Sequence, residues 1–113
     1  MNTHELKLAT EPFAAIKKGT KIIESRLFDE KRQGINLGDK IIFINREDPS
    51  QTISAQVAGL LRYPSFEKLF TNNDPAKFGG PSVEWLLDQI REFYPVEEEQ
   101  KYGVVGIQLR VIE

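Results

Sequence analysis

The chain has 113 residues, 40% hydrophobic and 28% charged, with a formal net charge of -2 and a pI near 5.5. That length suits one domain over residues 1–113, and the composition argues against both a disordered chain and a membrane protein. The lack of cysteine excludes disulfide and thiolate chemistry, the acidic balance disfavours a domain held on long duplexes by bulk electrostatics, and no apolar run approaches the roughly 18 residues of a membrane span.

The polar start, Met1 to Glu5, lacks the basic and apolar regions of a signal peptide, so a cytoplasmic location is expected. Leu6 and Leu8 alternate with Glu5 and Lys7 in a short first strand. Thr10-Glu11-Pro12 predicts a helix start with Thr10 as N-cap and Pro12 in the first turn. Phe13 and Ile16 form the apolar side of this helix, and Gly19 ends it, with Lys17 and Lys18 near its negative pole. A second strand is expected from Lys21 to Phe28. Beyond Gly34 and Gly38-Asp39, the run from Lys40 to Asn45 reads as a third strand, apolar on both faces and therefore central. Asp48-Pro49-Ser50 makes a turn, and Thr52 to Leu61 alternates as a half-buried strand with a bulge at Gly59, hairpin-paired to the third. Ser65 caps a short helix carrying Phe66, Leu69 and Phe70, which Asn72-Asn73-Asp74-Pro75 interrupts. A mobile loop through Gly79-Gly80-Pro81 leads to Ser82, the cap of a longer amphipathic helix with Val83, Leu86, Leu87, Ile90 and Phe93, stopped at Pro95. Val105, Ile107, Leu109 and Val111 mark the last strand. Strands and helices without a βαβαβ rhythm predict an α+β fold, and closure into a small barrel would remove exposed strand edges.

The second strand carries the chemistry. Gly19-Thr20-Lys21-Ile22-Ile23-Glu24-Ser25-Arg26 places three charged groups in an apolar segment, and desolvating each costs several kcal/mol unless it meets a partner or a ligand. Strict alternation puts Glu24 and Arg26 on one face and Lys21 on the other, so Lys21 joins them only if the chain bends after Gly19. In a ligand site, Lys21 and Arg26 would donate to a phosphate or to base carbonyls, and Glu24 would accept from an exocyclic amine or act as a general base. Asp29-Glu30-Lys31-Arg32 reads either as a solvated turn or as a backbone contact by Lys31 or Arg32 that Asp29 orients. Tyr63 and Tyr102, at strand ends, are the better stacking candidates, whereas Phe66, Phe70, Trp85, Phe93 and Tyr94 are mostly core, Trp85 and Tyr94 having polar handles that suit a partly wet position. Glu97-Glu98-Glu99 reads as a solvated acidic turn and His4 as inert, with no His-based metal site expected.

The pattern Gly19-x-Lys21-x-x-Glu24-x-Arg26 follows a helix with Glu11-Pro12-Phe13 and precedes Asp29-Glu30-Lys31-Arg32 and Gly38-Asp39. Together with the closing Tyr102-Gly103-Val104-Val105-Gly106-Ile107, it resembles the ASCH (activating signal cointegrator homology) domain of the PUA-like superfamily over nearly the whole chain. The resemblance implies a small mixed β-barrel of five or six strands with peripheral α-helices and a cleft lined by the motif. It implies RNA, single-stranded or nucleotide-like, as the ligand of Lys21, Glu24 and Arg26, with Arg32 near the cleft and Tyr102 as a further contact. Some relatives are N4-acetylcytidine amidohydrolases that use a Lys, a Thr nucleophile and a Glu. Lys21 matches that lysine, but Glu24 stands at the threonine position; Thr20 and Ser25 are nearby hydroxyls, and Glu67 and Asp74 are both open as the third residue. Another relative resembles a metal-assisted ribonuclease, which would ask Glu24, with Asp29, to hold a divalent cation. The first expectation is therefore RNA or nucleotide binding without a cofactor. A hydrolase with Lys21 and Glu24 as chemical groups and Arg26 as a clamp is the alternative, and a module recruiting a protein partner in transcription or translation regulation is third.

Overall fold

Alternating apolar residues build five strands in the computed structural model, which describes residues 2–112; Met1, at the head of the polar start, and Glu113 lie outside them. They are β1 (Thr3–Leu8), β2 (Ile23–Leu27), β3 (Lys40–Asn45), β4 (Thr52–Tyr63) and β5 (Val104–Val111). The sheet order is β1-β3-β4-β5-β2, parallel between β1 and β3 and antiparallel elsewhere. The expected small mixed barrel takes the form of a five-stranded curled half-barrel with helices, β1 and β2 being its two edges. The hairpin between β3 and β4 forms as expected, and the register shift between Val57 and Gly59 is the bulge that Gly59 signals.

Two apolar layers enclose this sheet. Helix α1 (Thr10–Lys18) lays Phe13 and Ile16 against Leu6, Phe43 and Ile107. The second layer comes from α3 (Phe66–Thr71), a 3-10 helix (Pro75–Phe78) and α4 (Val83–Arg91), whose Phe70, Phe78 and Leu86 cluster with Ile23, Leu27 and Val104. β2 pairs Glu24 with Ile107 and Arg26 with Val105, so these two charges share a face with the first layer while Ile23 and Leu27 enter the second.

Several local expectations give way to tertiary contacts. Thr10 is the first helical residue rather than the cap. Ala9 holds the N-cap position without a side-chain bond, while the Thr10 N–H donates to Glu47 Oε1 at 3.1 Å and its hydroxyl to Asn45 Oδ1 at 3.3 Å. Asp29 to Arg32 is not a simple turn but the start of α2 (Glu30–Gln33), capped by Asp29, which accepts the Arg32 N–H at 3.2 Å. The acidic run lies in α5 (Val96–Tyr102), with Glu97, Glu98 and Glu99 at its positive pole. Glu99 is buried rather than solvated: it accepts the Phe66 N–H at 2.7 Å and pairs with Arg91 at 3.1 Å. His4 is engaged too, its Nε2 lying 2.9 Å from Asp39 Oδ2. α4 stops at Arg91, before Phe93. The glycine passage packs closely: a Cβ on Gly80 would lie 2.7 Å from Leu86 and Trp85, and one on Gly79, at φ 88°, would lie 3.2 Å from the Lys21 stem.

Candidate functional site

β2 starts two residues later than the apolar pattern suggests, at Ile23, and this late start assembles the charged site. Gly19 turns the chain in a left-handed conformation at φ 86°, so Lys21 approaches from outside the strand and escapes the alternation that would have put it on the wrong face. Its Nζ lies 3.2 Å from Glu24 Oε1 and donates to the carbonyls of Ile23 and Phe78, both at 3.0 Å. Those three partners match the three donors of an ammonium, so Lys21 is a fully committed tether between β2 and the 3-10 helix.

Arg26 Nε donates to Glu24 Oε2 at 2.6 Å, and Nη2 donates to the Lys7 carbonyl at 2.9 Å. Burial pushes the Glu24 carboxyl up, but Arg26 first and Lys21 second outweigh it and hold the group below its ordinary value. Burial likewise opposes the charge on Arg26, yet Glu24 and then the Tyr94 hydroxyl raise it above the ordinary arginine value. Glu24 and Arg26 are thus both charged at neutral pH, and with the Lys21 ammonium two cations face one carboxylate.

The trio lies in a cavity of about 580 Å³ between the two sheet edges. Lys7 and Leu8 of β1 and Pro12 and Ala15 of α1 form one side, while Phe78, Gly79, Leu86 and Tyr94 form the other. Trp85 and Phe93 also line it, 43% and 57% exposed, so neither is core. The i, i+4 spacing of Trp85 and Gln89 on α4 carried a signal; Glu92 and Phe93, just past the end of α4, line the cavity with them beside Leu86 and Ile90. Arg46, just past β3, completes the cavity and had no local signal.

Of the other expected site residues, Ser25 lines this cavity, Arg32 lies next to it and the rest fall elsewhere. Arg32 is held by Asp29 at 2.8 Å and lines a second, adjoining hollow together with Arg26. Tyr102 ends α5 beneath the Lys101 ammonium, 5.1 Å from its ring centre, and lines neither cavity. Tyr63 packs on the second apolar layer. Neither Glu67 nor Asp74 lines the cavity; both are exposed, and Asp74 caps the 3-10 helix. Thr20 gives its hydroxyl hydrogen to the Ala15 carbonyl at 3.2 Å, and Ser25 lines the cavity. Glu24 is flanked by two cations and Asp29 is committed to Arg32, an arrangement that disfavours a cation between these carboxylates. Among the described residues no group of three or more His, Asp or Glu side chains converges, and no helix is long and apolar enough to cross a membrane.

Comparison with known proteins places this architecture. The hypothetical protein PH0355 shares 37% identity, with a TM-score of 0.86 over 97% of this chain and 99% of that one. Protein PF0455 from Pyrococcus furiosus shares 34% identity, with a TM-score of 0.78 over 98% of both chains. ASCH from Zymomonas mobilis has the same fold at 16% identity, with a TM-score of 0.58 over 94% of this chain and 65% of that one. No curated protein matches. The ASCH domain pattern matches residues 6–113, and the chain belongs to the ASCH domain family.

Proposed function

We propose that the cavity binds a nucleobase of single-stranded RNA or of a nucleotide-like ligand. The observation that carries this reading is the meeting of an aromatic wall, Trp85 and Phe93, with a fixed acceptor and donor, Glu24 and Arg26. A base offers a flat π face for the former and an edge with an amine beside a carbonyl or ring nitrogen for the latter. Each Glu24 oxygen has one cationic partner, which leaves lone pairs for an exocyclic amine, and Arg26 keeps donors beyond those given to Glu24 and Lys7. The cavity volume, about 580 Å³, lies within the range of about 300–1,000 Å³ usual for small-molecule sites. Membership of a family generally associated with RNA supports the same ligand class.

Binding is favoured over hydrolysis for a chemical reason. The amidohydrolase pattern needs a hydroxyl where Glu24 stands, Lys21 has its donors committed to protein acceptors, and both candidates for a third residue lie outside the cavity. Trp85 is the sole tryptophan and borders the cavity, so its fluorescence reports occupancy directly. Short single-stranded RNAs and nucleotides should quench it saturably, and Arg26→Lys should weaken that quenching. Emission that stays unchanged across the ligands would overturn the reading.

A further inference from the structure

Beside the main cavity lies a second hollow of about 370 Å³, which shares Lys7, Arg26 and Arg46 with it. Lys31 and Arg32 of α2 line its far side, and Glu5 is the one carboxylate residue among its lining residues. Five of the chain's 15 lysines and arginines therefore converge here, in a protein whose net charge is -2. Even with Glu24, Asp29 and Glu47 set against Arg26, Arg32 and Arg46, cations outnumber carboxylates five to four. Such crowding costs self-repulsion that no fold requirement explains, since Lys31 and Arg46 are exposed and make no ion pair among the described residues. Arg32 also keeps an unmet donor. The Nε–H of Arg32 is the one buried side-chain polar atom without a hydrogen-bond partner among the described residues, and a buried donor left unmade costs about 1–3 kcal/mol.

We infer that this hollow is a phosphate-binding subsite, holding the phosphate of the nucleotide unit whose base enters the main cavity. It rests on the proposed function for the base and on its own residues for the anion. Arg26 sits on the boundary between the two spaces, so one guanidinium serves both the base edge and the phosphate. The ligand class is then a phosphorylated one, a nucleoside monophosphate or a phosphate within a strand, in preference to a free nucleoside.

The test follows backbone amide shifts by NMR while the intact protein is titrated with inorganic phosphate. Separate titrations use the four common nucleosides, their monophosphates, and trinucleotides that lack terminal phosphate. Phosphate is expected to shift amides of Lys7, Lys31, Arg32 and Arg46 saturably. The Lys31→Gln/Arg46→Gln double variant should weaken this at least about tenfold, while Lys18→Gln, outside both cavities, leaves it intact. Monophosphates should outbind their nucleosides by about tenfold or more, and the double variant should erase that gain. Trinucleotides that match the monophosphates point to a strand phosphate, and weaker ones to a terminal phosphate; either result supports the subsite. Phosphate that produces no saturable shift at these amides, or shifts the double variant equally, overturns it even if nucleosides fill the main cavity. Phosphate that binds the hollow while no nucleoside moves Glu24, Arg26 or Trp85 upholds the subsite and overturns the reading of the base site instead. Because both substituted residues are exposed and lie in a crowd of like charges, the variant should melt no lower than the parent.

Discussion

Arg26 Nη2 donates to the carbonyl of Lys7 at 2.9 Å, and so ties together β2 and β1, the two sheet edges that share no backbone ladder. One side chain thus holds the seam where the half-barrel is open, and the candidate ligand cavity lies at that seam. Arg26→Lys keeps the charge but loses the planar fork that reaches Glu24 and Lys7 together. It should cost about 1.5–3 kcal/mol, the worth of a charged hydrogen bond, and should speed hydrogen exchange at β1 relative to β4. Denaturant melts and exchange mass spectrometry check both effects.

Glu24 is the single anion between the buried Lys21 and the half-buried Arg26, so Glu24→Gln leaves both cations uncompensated. Breaking such a pair costs about 3–5 kcal/mol, enough to lower the melting temperature by about 10 °C or more in a domain of this size. Lys21→Met removes one of the two stranded cations. Combined with Glu24→Gln, it should therefore destabilise the protein by less than the sum of the two single changes, because both remove one shared interaction. A calorimetric double-mutant cycle measures that coupling.

Acid should unfold the protein through its carboxylates. Glu24 has a folded-state value below the ordinary 4.5, so its stabilisation is full above that value and is lost as pH falls through the folded value. Asp39 behaves alike: hydrogen bonds from His4, then from the Asn36 and Asn2 N–H groups, hold it at about 2 against an ordinary 3.8, so its contribution disappears as pH drops across that interval. Urea melts between neutral pH and about pH 2 should show stability falling below about 4.5, with a shallower fall in Glu24→Gln.

Gly79→Ala tests the link between the 3-10 helix and Lys21. The residue has φ 88°, and an added Cβ would meet the Lys21 stem at 3.2 Å. A cost of about 1–2 kcal/mol is expected from the left-handed backbone, with further displacement of the Lys21 ammonium from Glu24. Gly59→Ala is a useful contrast: its φ is not positive, although its Cβ would meet the Gln108 side chain, which is flexible enough to move. A thermal melt of each variant gives the comparison.

The sequence period exposed the strands, α1, α3, α4 and the Gly59 bulge, because each rests on apolar spacing or a local cap. Lys21, Glu24 and Arg26 stood out for the same kind of reason, as charges in an apolar run. What local reading missed depends on distant partners. Glu99 looks solvated until the Phe66 N–H and Arg91 meet it, and the first turn of α1 finds its acceptors in the turn between β3 and β4. Lys7 and Arg46 join the site only through the pairing of β1 with β3 and the curl of the sheet. Trp85 and Phe93 read as part of an apolar helix and mostly as core, because aromatic spacing by itself does not tell a core from a cavity wall, and Phe93 lies past the end of α4.

If Glu24 and Arg26 read a nucleobase edge against Trp85 and Phe93, calorimetry should detect it without a label. Isothermal titration of short single-stranded RNAs and nucleotides into the parent protein, Arg26→Lys and Trp85→Ala is the decisive measurement. Saturable binding is expected, weakened about tenfold or more by each substitution, with Trp85→Ala still folded because that ring is 43% exposed. Equal affinity in all three proteins, or no saturable binding in the parent, would contradict it.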